Sequence, residues 1–347
     1  MNPDGPRIAD ARLEAYSLPL RRPWQTRHGA VRDRRGWLLH VVDGEGRPAL
    51  GEAAPWPDAG TESASDCGAA LADILRWLPG VTPAAALERL SGVPAGPAAR
   101  CGTEGALYGL LVRHSGRPLH RLLAANASSS VAVNAACGSA DQGLATRIAA
   151  AAAAGFRVFK VKLGVGGWAD ELACLRALSL PSGGALRLDV NGAWRAVDAG
   201  RRLAELSELP VDCVEEPLAT FDPEALAALQ ATVPYALALD ESLAGGAADL
   251  CGPRCPVRRV VLKPMVHGGA RKTLARARSA AAAGLEVVVT TTLEAAPGRW
   301  LAAAVAAATG SPLAHGLDTG AWLARDLGEG PRIAHGRIRL EEDQFGS

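Results

Sequence analysis

Three acids recur at nearly constant spacing in this chain: Asp189, Glu215 and Asp240, 26 and then 25 residues apart. Each sits at the end of a short β-type run, in Arg187-Leu188-Asp189, Glu215-Glu216-Pro217 and Asp240-Glu241-Ser242. That interval suits one strand–helix unit, so the acids fall on successive strands. Neighbouring strands lie ~4.8 Å apart, and three such carboxylates converge, repel one another and raise their own pKa values. A hard divalent cation removes the conflict, and an all-oxygen set with room for waters and substrate suits magnesium better than zinc. One acid alone at a strand end commonly caps the helix that follows; three on successive strands point to a metal.

Lysines flank the acids. Only four occur, Lys160, Lys162, Lys263 and Lys272, against 33 arginines. Arg serves equally well as a surface cation, but not as a proton-transfer base, because guanidinium does not deprotonate near neutral pH. Three of the four lysines lie inside apolar β-like runs, Lys160-Val161-Lys162 before the acids and Lys263-Pro264 after them. A lysine on either side of a divalent cation is the arrangement for removing a proton next to a carboxylate. The metal holds the carboxylate and stabilises the enediolate, and its charge pushes the lysine pKa down towards that of a useful base. Lys160 shares a strand face with Lys162, and it suits both an ion pair with a neighbouring acid and a place in the site.

The elements that must position these groups alternate. Eight β-type runs cover 131–135, 158–163, 186–190, 211–215, 235–240, 259–263, 286–291 and 313–318, with Ala-rich helical stretches such as 141–154, 196–208 and 269–283 between them. Gly155 and Gly284 suit left-handed helix ends. Strand–helix alternation implies a parallel sheet, and eight units imply a closed barrel whose chemistry sits at the C-terminal strand ends. The first 128 residues read instead as an α+β domain, with strands at 11–18 and 37–42 joined through Asp43-Gly44-Glu45-Gly46 and helices near 63–77 and 103–114. The expected organisation is therefore an α+β cap, 1–128, and a barrel, 129–321. The β-like tail at 332–340 is expected to return to the cap, so that residues from about 322 to 347 complete it.

Nearly half of the 347 residues are apolar, enough for a large core, and a formal charge of +1 gives no electrostatic reason to expect nucleic acid or an anionic membrane as partner. Met1 to Leu20 carries Asp4, Asp10 and Glu14 and no long apolar run, unlike a signal peptide. The most apolar stretches, such as 301–308, are far shorter than a membrane span. Seven scattered Cys read as reduced thiols of a cytoplasmic protein, Cys251 and Cys255 included.

The ordered set KVK (Lys160 to Lys162), DVN (Asp189 to Asn191), EEP (Glu215 to Pro217), DES (Asp240 to Ser242) and KP (Lys263, Pro264), one motif per strand, resembles the muconate-lactonizing subgroup of the enolase superfamily. The resemblance spans nearly the whole chain and implies a (β/α)7β TIM-like barrel with an N-terminal α+β capping domain. It makes Lys162 the base and Lys263 its partner across the site. Asp189, Glu215 and Asp240 become Mg2+ ligands, with Glu215 preferred to Glu216, and Asn191 a secondary site residue. Gly51-Glu52-Ala53-Ala54-Pro55 resembles the substrate-capping loop. Residues 23–34 and 51–62, including Trp24, Arg27, His28 and Trp56, would close the site on a small-molecule carboxylate.

Further features resemble the o-succinylbenzoate synthase family: Arg187 to Asn191 followed by Ala193-Trp194, Thr290-Thr291-Thr292-Leu293-Glu294, and Gly316-Leu317-Asp318-Thr319. That resemblance adds Lys160, Arg187, Asn191, Thr290 and the backbone of Gly316 as substrate contacts. It implies the syn dehydration of a succinyl-substituted hydroxycyclohexadiene carboxylate, feeding menaquinone synthesis. The main rival is an N-acylamino acid racemase or dipeptide epimerase, with Lys162 and Lys263 as opposed acid/bases. Dipeptide epimerases of this fold usually carry Asp-x-Asp on the last strand for the substrate ammonium, and here Gly316 takes the first position. A muconate-type cycloisomerase has no specific support. A sugar-acid dehydratase would add a His–Asp pair; His267, expected to open the helix after strand six, and His315 read as ordinary polar or capping residues. A non-catalytic ligand-binding barrel would not need two lysines facing a metal.

Overall fold

The computed structural model describes residues 5–26, 29–246 and 248–340. Its first unit is built on a long antiparallel hairpin, β1 (Ile8–Thr26) and β2 (Gly29–Asp43), with β3 (Pro48–Ala53) added to β2. The turn into β3 is set by Asp43, whose Oδ1 accepts the N–H groups of Glu45 and Arg47, both at 2.9 Å. Three helices follow. α1 (Ala64–Leu75) is capped by Ser63, α2 (Pro83–Leu90) by Thr82 with Pro at its first position, and α3 (Pro97–Ser115) starts on Pro97. α3 lies directly on β3. A Cβ at Gly51 would run into the Gly102 backbone, and one at Gly102 into Ala53, so only glycine permits this approach. Ile8, Leu39, Val41, Ile74, Leu78, Leu107 and Leu110 form a core for this unit.

A short α4 (Leu119–Leu123) and β4 (Ser130–Ala132) lead into the barrel. The parallel sheet runs in sequence order through β5 (Ala135–Ser139), β6 (Val158–Lys162), β7 (Ala185–Asp189), β8 (Val211–Glu215), β9 (Ala236–Leu239), β10 (Arg259–Leu262) and β11 (Glu286–Val289). Its outer helices are α5 (Leu144–Ala153), α6 (Trp168–Arg176), α7 (Ala196–Leu206), α8 (Pro223–Thr232), the short α9 (Pro264–His267), α10 (Ala270–Ala282) and α11 (Ala296–Thr309). Gly155 and Gly284 end their helices at φ +91° and +76°, as expected of left-handed termini.

The eighth run, 313–318, is reduced to single bridges. His315 pairs with Val133 and Gly316 with Thr290, which joins the first strand to the seventh and closes the ring. This is the (β/α)7β barrel with an N-terminal capping unit that the motifs implied.

The tail divides. Leu323 bridges Leu20 and Ala324 donates to the Pro19 carbonyl, so this stretch does meet β1. Beyond it, β12 (Ile333–Ala334) pairs with β13 (Arg337–Arg339), and β13 pairs with β4 at the barrel's entry strand and not with the first unit. The expected return of 332–340 to the cap is corrected accordingly: Arg337, Ile338 and Arg339 take Ala132, Val131 and Ser130 as ladder partners, with Ile338 fully buried. Residues 341–347 lie outside the described residues. Among the described residues no helix is long and apolar enough to cross a membrane.

Candidate active site

Strand alternation carries the site. On β6, Phe159 and Val161 are fully buried in the core shared with the helices, which turns Lys160 and Lys162 towards the barrel axis. The ladder then sets Lys162 beside Asp189, and Asp189 beside Glu215. Cys213, Ala236, Ala238, Val261 and Val288 fill the axis as an apolar layer. Asp240 and Lys263, two residues beyond Ala238 and Val261, therefore sit above that layer at the C-terminal mouth.

Lysines and carboxylates interleave there. Lys160 Nζ lies 2.9 Å from Asp189 Oδ2 and 2.5 Å from Glu215 Oε2, and Lys263 Nζ lies 2.7 Å from Asp240 Oδ1. Burial alone would lower the Lys160 ammonium, but Asp189, Glu215 and Asp240 hold it well above the usual lysine range. Lys263 is raised in the same way: burial opposes its charge and Asp240 with Glu241 supports it. Burial works against the Asp189 charge too, yet Lys160, with Lys263 and Lys162 beyond it, brings that carboxyl below its ordinary value. Asp240 is pushed up by burial, with Glu241 and Glu215 adding to it and Lys263 drawing it back.

The neighbouring acids turn elsewhere. Glu216, at φ +43°, accepts from the Asp240 N–H at 2.6 Å, the Ser242 N–H at 2.8 Å and the Ser242 hydroxyl at 2.9 Å, and so ties the end of β8 to that of β9. Glu241 Oε1 accepts from Asn191 Nδ2 at 2.9 Å. Asn191, at φ +46°, donates its own N–H to Asp189 Oδ1 at 3.2 Å. The Asn191 Oδ1 and Glu241 Oε2 atoms are buried without a hydrogen-bond partner.

Arg187 lies one layer below Asp189 and is 1% exposed. Its guanidinium is held by Asp212 at 2.8 and 2.9 Å, Asn134 Oδ1 at 3.0 Å and the Ala314 carbonyl at 2.7 Å, and it reaches Glu215 only at 4.0 Å. It is thus enclosed behind Glu215, away from the open mouth where a substrate would enter. Asp212 also takes Arg259, at 2.6 and 3.0 Å. The ladder between β7 and β8 slips at this residue, a bulge that turns Asp212 in to the two arginines. Sequence reading missed Asp212 and Asn134; the one local signal was an acid in the interior of the run Val211-Asp212-Cys213.

Thr290 and Gly316 bind each other across the closing bridge. The Gly316 carbonyl accepts from the Thr290 hydroxyl at 2.8 Å and from the Thr291 hydroxyl at 3.2 Å. A Cβ at Gly316 would strike the Thr290 side chain, so the space for a side chain at 316 is already filled. Asp318 Oδ2 accepts from the Ala136 N–H at 3.1 Å, and burial pushes its carboxyl up to about 6. His267 ends α9 rather than opening it, with Nδ1 against Arg276, and His315 Nδ1 accepts from the Val289 N–H at 2.9 Å. Burial first, then a nearby arginine, drives both imidazoles down to about 3, so both are neutral.

From the first unit, the Ala54 N–H meets Met265 Sδ at 3.3 Å, two residues beyond Lys263. Arg34 stacks over Trp56 at 5.0 Å, and Trp24 stands edge-on to Trp322 at 4.6 Å. The Arg27 and His28 side chains lie outside the described residues.

Among the described residues no three acidic, His or Cys side chains form a ready-made metal cage; the carboxylates are paired with ammonium groups instead. The donors themselves suit a hard cation. They are oxygen throughout, with Asp189 and Glu215 close enough to share one positive charge and two buried oxygens nearby without partners.

Comparison with known proteins agrees with this geometry. A family profile described as Enolase C-terminal domain-like matches residues 143–346. An L-Lys-D/L-Arg epimerase from Methylococcus capsulatus is 31% identical over 350 residues, 97% of each chain. An o-succinylbenzoate synthase from Thermosynechococcus vestitus is 35% identical over 244 residues, 67% of this chain and 68% of that one. The crystal structure of a dipeptide epimerase from Methylococcus capsulatus, complexed with Mg and the dipeptide L-Arg-D-Lys, superposes with a TM-score of 0.85 at 28% identity, over 96% of this chain and 97% of that one. A barrel closed in this way, lysines and carboxylates interleaved at its mouth, and a match running from α5 to the tail make the chain a member of the enolase superfamily of enzymes.

Proposed function

We propose that this enzyme is an o-succinylbenzoate synthase that dehydrates 2-succinyl-6-hydroxy-2,4-cyclohexadiene-1-carboxylate. The observation that carries the lysine chemistry is the placement of Lys162 and Lys263 on strands to either side of those bearing Asp189, Glu215 and Asp240. In this reading residues 1–128 cap a barrel of residues 129–321, in the cytoplasm, where the seven unpaired cysteines stay reduced. Asp189, Glu215 and Asp240 would hold Mg2+, which supplies positive charge against the substrate carboxylate as negative charge builds there.

The chain's own residues do the rest. Lys162 takes the α-proton, and the electrons of the broken C–H bond move into the carboxylate. The C–O bond at the ring hydroxyl then breaks on the same face, hydroxide leaves as water with a proton from Lys162, and the ring becomes aromatic. Lys263, held charged beside Asp240, faces the developing negative charge without exchanging a proton. Lys160 keeps Asp189 and Glu215 in register. The Thr290–Gly316 pair lines the wall between strands seven and eight, where it would meet the substrate, as would Asn191.

The second reading is an epimerase or N-acylamino acid racemase. The full-length similarity to the L-Lys-D/L-Arg epimerase and the two opposed lysines favour it. Against a dipeptide substrate stands Gly316: where an Asp-x-Asp pair would bind an ammonium group, Thr290 fills the space and Asp318 alone remains.

The test is a spectrophotometric assay of the purified protein with magnesium and the diene carboxylate, with EDTA-treated enzyme and Asp240→Asn beside it. Rapid aromatisation, lost in both controls, is the expected result. An inert, folded, magnesium-loaded protein that instead exchanges the α-proton of N-succinyl amino acids or dipeptides in deuterium oxide would replace the synthase reading with the second one.

A further inference from the structure

α10 and α11, like α5, α6, α7 and α9, begin without a side-chain cap on the preceding residue. α10 follows Gly269 and α11 follows Ala295, and neither preceding residue offers a side chain to the free N–H groups of the first turn. The missing acceptors come from the N-terminal unit. Glu104, on α3, accepts from the Arg271 N–H at 3.1 Å, and the Ala270 N–H binds the same carboxylate. Glu52, on β3, accepts from the Ala295 N–H at 2.9 Å through Oε1 and from the Gly298 N–H at 2.9 Å through Oε2, while the Tyr16 hydroxyl donates to Oε1 at 2.5 Å. Asp326, from the tail, takes the Ala296 N–H at 2.8 Å.

These carboxylates are built in. Glu52 is 2% and Glu104 5% exposed. Each enters where the barrel helix presents a glycine: a Cβ at Gly269 would strike the Glu104 carboxylate, and one at Gly298 would lie 2.9 Å from Glu52 Oε2. Both sit on the α3–β3 layer that Gly51 and Gly102 draw together, so one rigid layer serves both helices. Lys263 directly follows β10, with only α9 and Gly268-Gly269 between it and α10. Thr290 to Thr292 follow β11 and lead directly to Ala295.

We propose that Glu104 and Glu52 are positioning residues: by capping α10 and α11 from the other domain, they fix the ends of strands six and seven, and with them Lys263 and the Thr290–Gly316 pair. An anionic side chain at a helix N-terminus satisfies free N–H groups and complements the helix dipole at once, which suits it to this task. The inference rests on the reading of Lys263 and Thr290 as site residues.

The test uses the full-length, magnesium-loaded protein at pH 8 with Glu104→Gln and Glu52→Gln, each of which keeps the side chain's size and one acceptor oxygen. Amide hydrogen exchange is followed at 270–273 and at Ala295, Ala296 and Gly298, alongside kcat and KM. Glu104→Gln is expected to speed exchange at least tenfold in the first turn of α10 alone, and Glu52→Gln in that of α11 alone. Each is expected to lower kcat about tenfold with KM changed less than twofold. Exchange unaltered in those turns would overturn the caps. Faster exchange with kcat intact would overturn the positioning role and leave a packing contact. If a Gln variant does not fold, the Glu→Asp variant is read in its place, with the same two criteria. A wild type inert towards the diene would count against the synthase reading alone, because the exchange arm does not depend on it, and the kinetic arm then moves to the α-proton exchange that the wild type does show.

Discussion

Lys160 and Lys162 share a strand face, but their surroundings differ. Lys160 is bound to both Asp189 and Glu215, which hold its ammonium above the usual lysine range against its burial, so it neutralises those acids. Replacing it by Met leaves two buried carboxylates facing each other. We predict that Lys160→Met lowers unfolding stability in EDTA by about 3 kcal/mol or more, the range for breaking a buried pair. Magnesium at a hundredfold excess over its Kd should restore about 2.7 kcal/mol of this. Urea denaturation with and without the metal checks it; a variant equally stable in both conditions would contradict the shared-charge reading. The residue types were legible because their chemistry is scarce: in a chain with four lysines, those kept inside strands stood out. The role of Arg187 was not legible, because its partners Asp212, Asn134 and Ala314 lie on other strands.

At the level of elements, period-two alternation and βα spacing were enough to find the strands and to turn Lys162, Asp189 and Glu215 inward. Two kinds of feature escaped. The bulge at Asp212 is one: a one-residue slip depends on the partner strand's register, which the local sequence does not contain. It sets Asp212 between Arg187 and Arg259. Asp212→Ala strands both guanidinium groups, and we expect it to destabilise the fold by about 3–5 kcal/mol, seen as a lower urea midpoint with unchanged slope. A loss under about 1 kcal/mol would mean that Asn134, Glu286 and the Ala314 carbonyl suffice. Helix caps supplied from another domain are the other. The sequence before α10 and α11 shows that a cap is missing, with Gly269 and Ala295 where Ser, Thr, Asp or Asn is usual, but not that Glu104 and Glu52 provide it. The tail's pairing with β4 was hidden for the same reason, since its partner is some 200 residues away.

Across the whole molecule, the cap and barrel are joined by buried acids, and one of them titrates near neutrality. Burial raises the Glu104 carboxyl from 4.5 to about 7, against the Arg271 N–H and charge, the Ala270 N–H and Arg100, with Lys272 also nearby. The folded state therefore holds this proton more tightly than the unfolded chain. Its contribution to stability is complete below about pH 4.5 and is lost as pH rises through about 7, a change of roughly 3 kcal/mol at most. The stability of the wild type minus that of Glu104→Gln should fall by that order between pH 5 and pH 8.5; a difference that stays flat would show that Glu104 is not the group titrating. The account's central claim, that Lys162 removes a proton from a substrate held at Asp189, Glu215 and Asp240, is most directly tested by the rate of diene aromatisation by Lys162→Ala at saturating magnesium. The account predicts a fall in kcat of at least about 10²–10⁴-fold with magnesium affinity unchanged. A variant that retains a tenth or more of the wild-type rate would show that Lys162 is not the base.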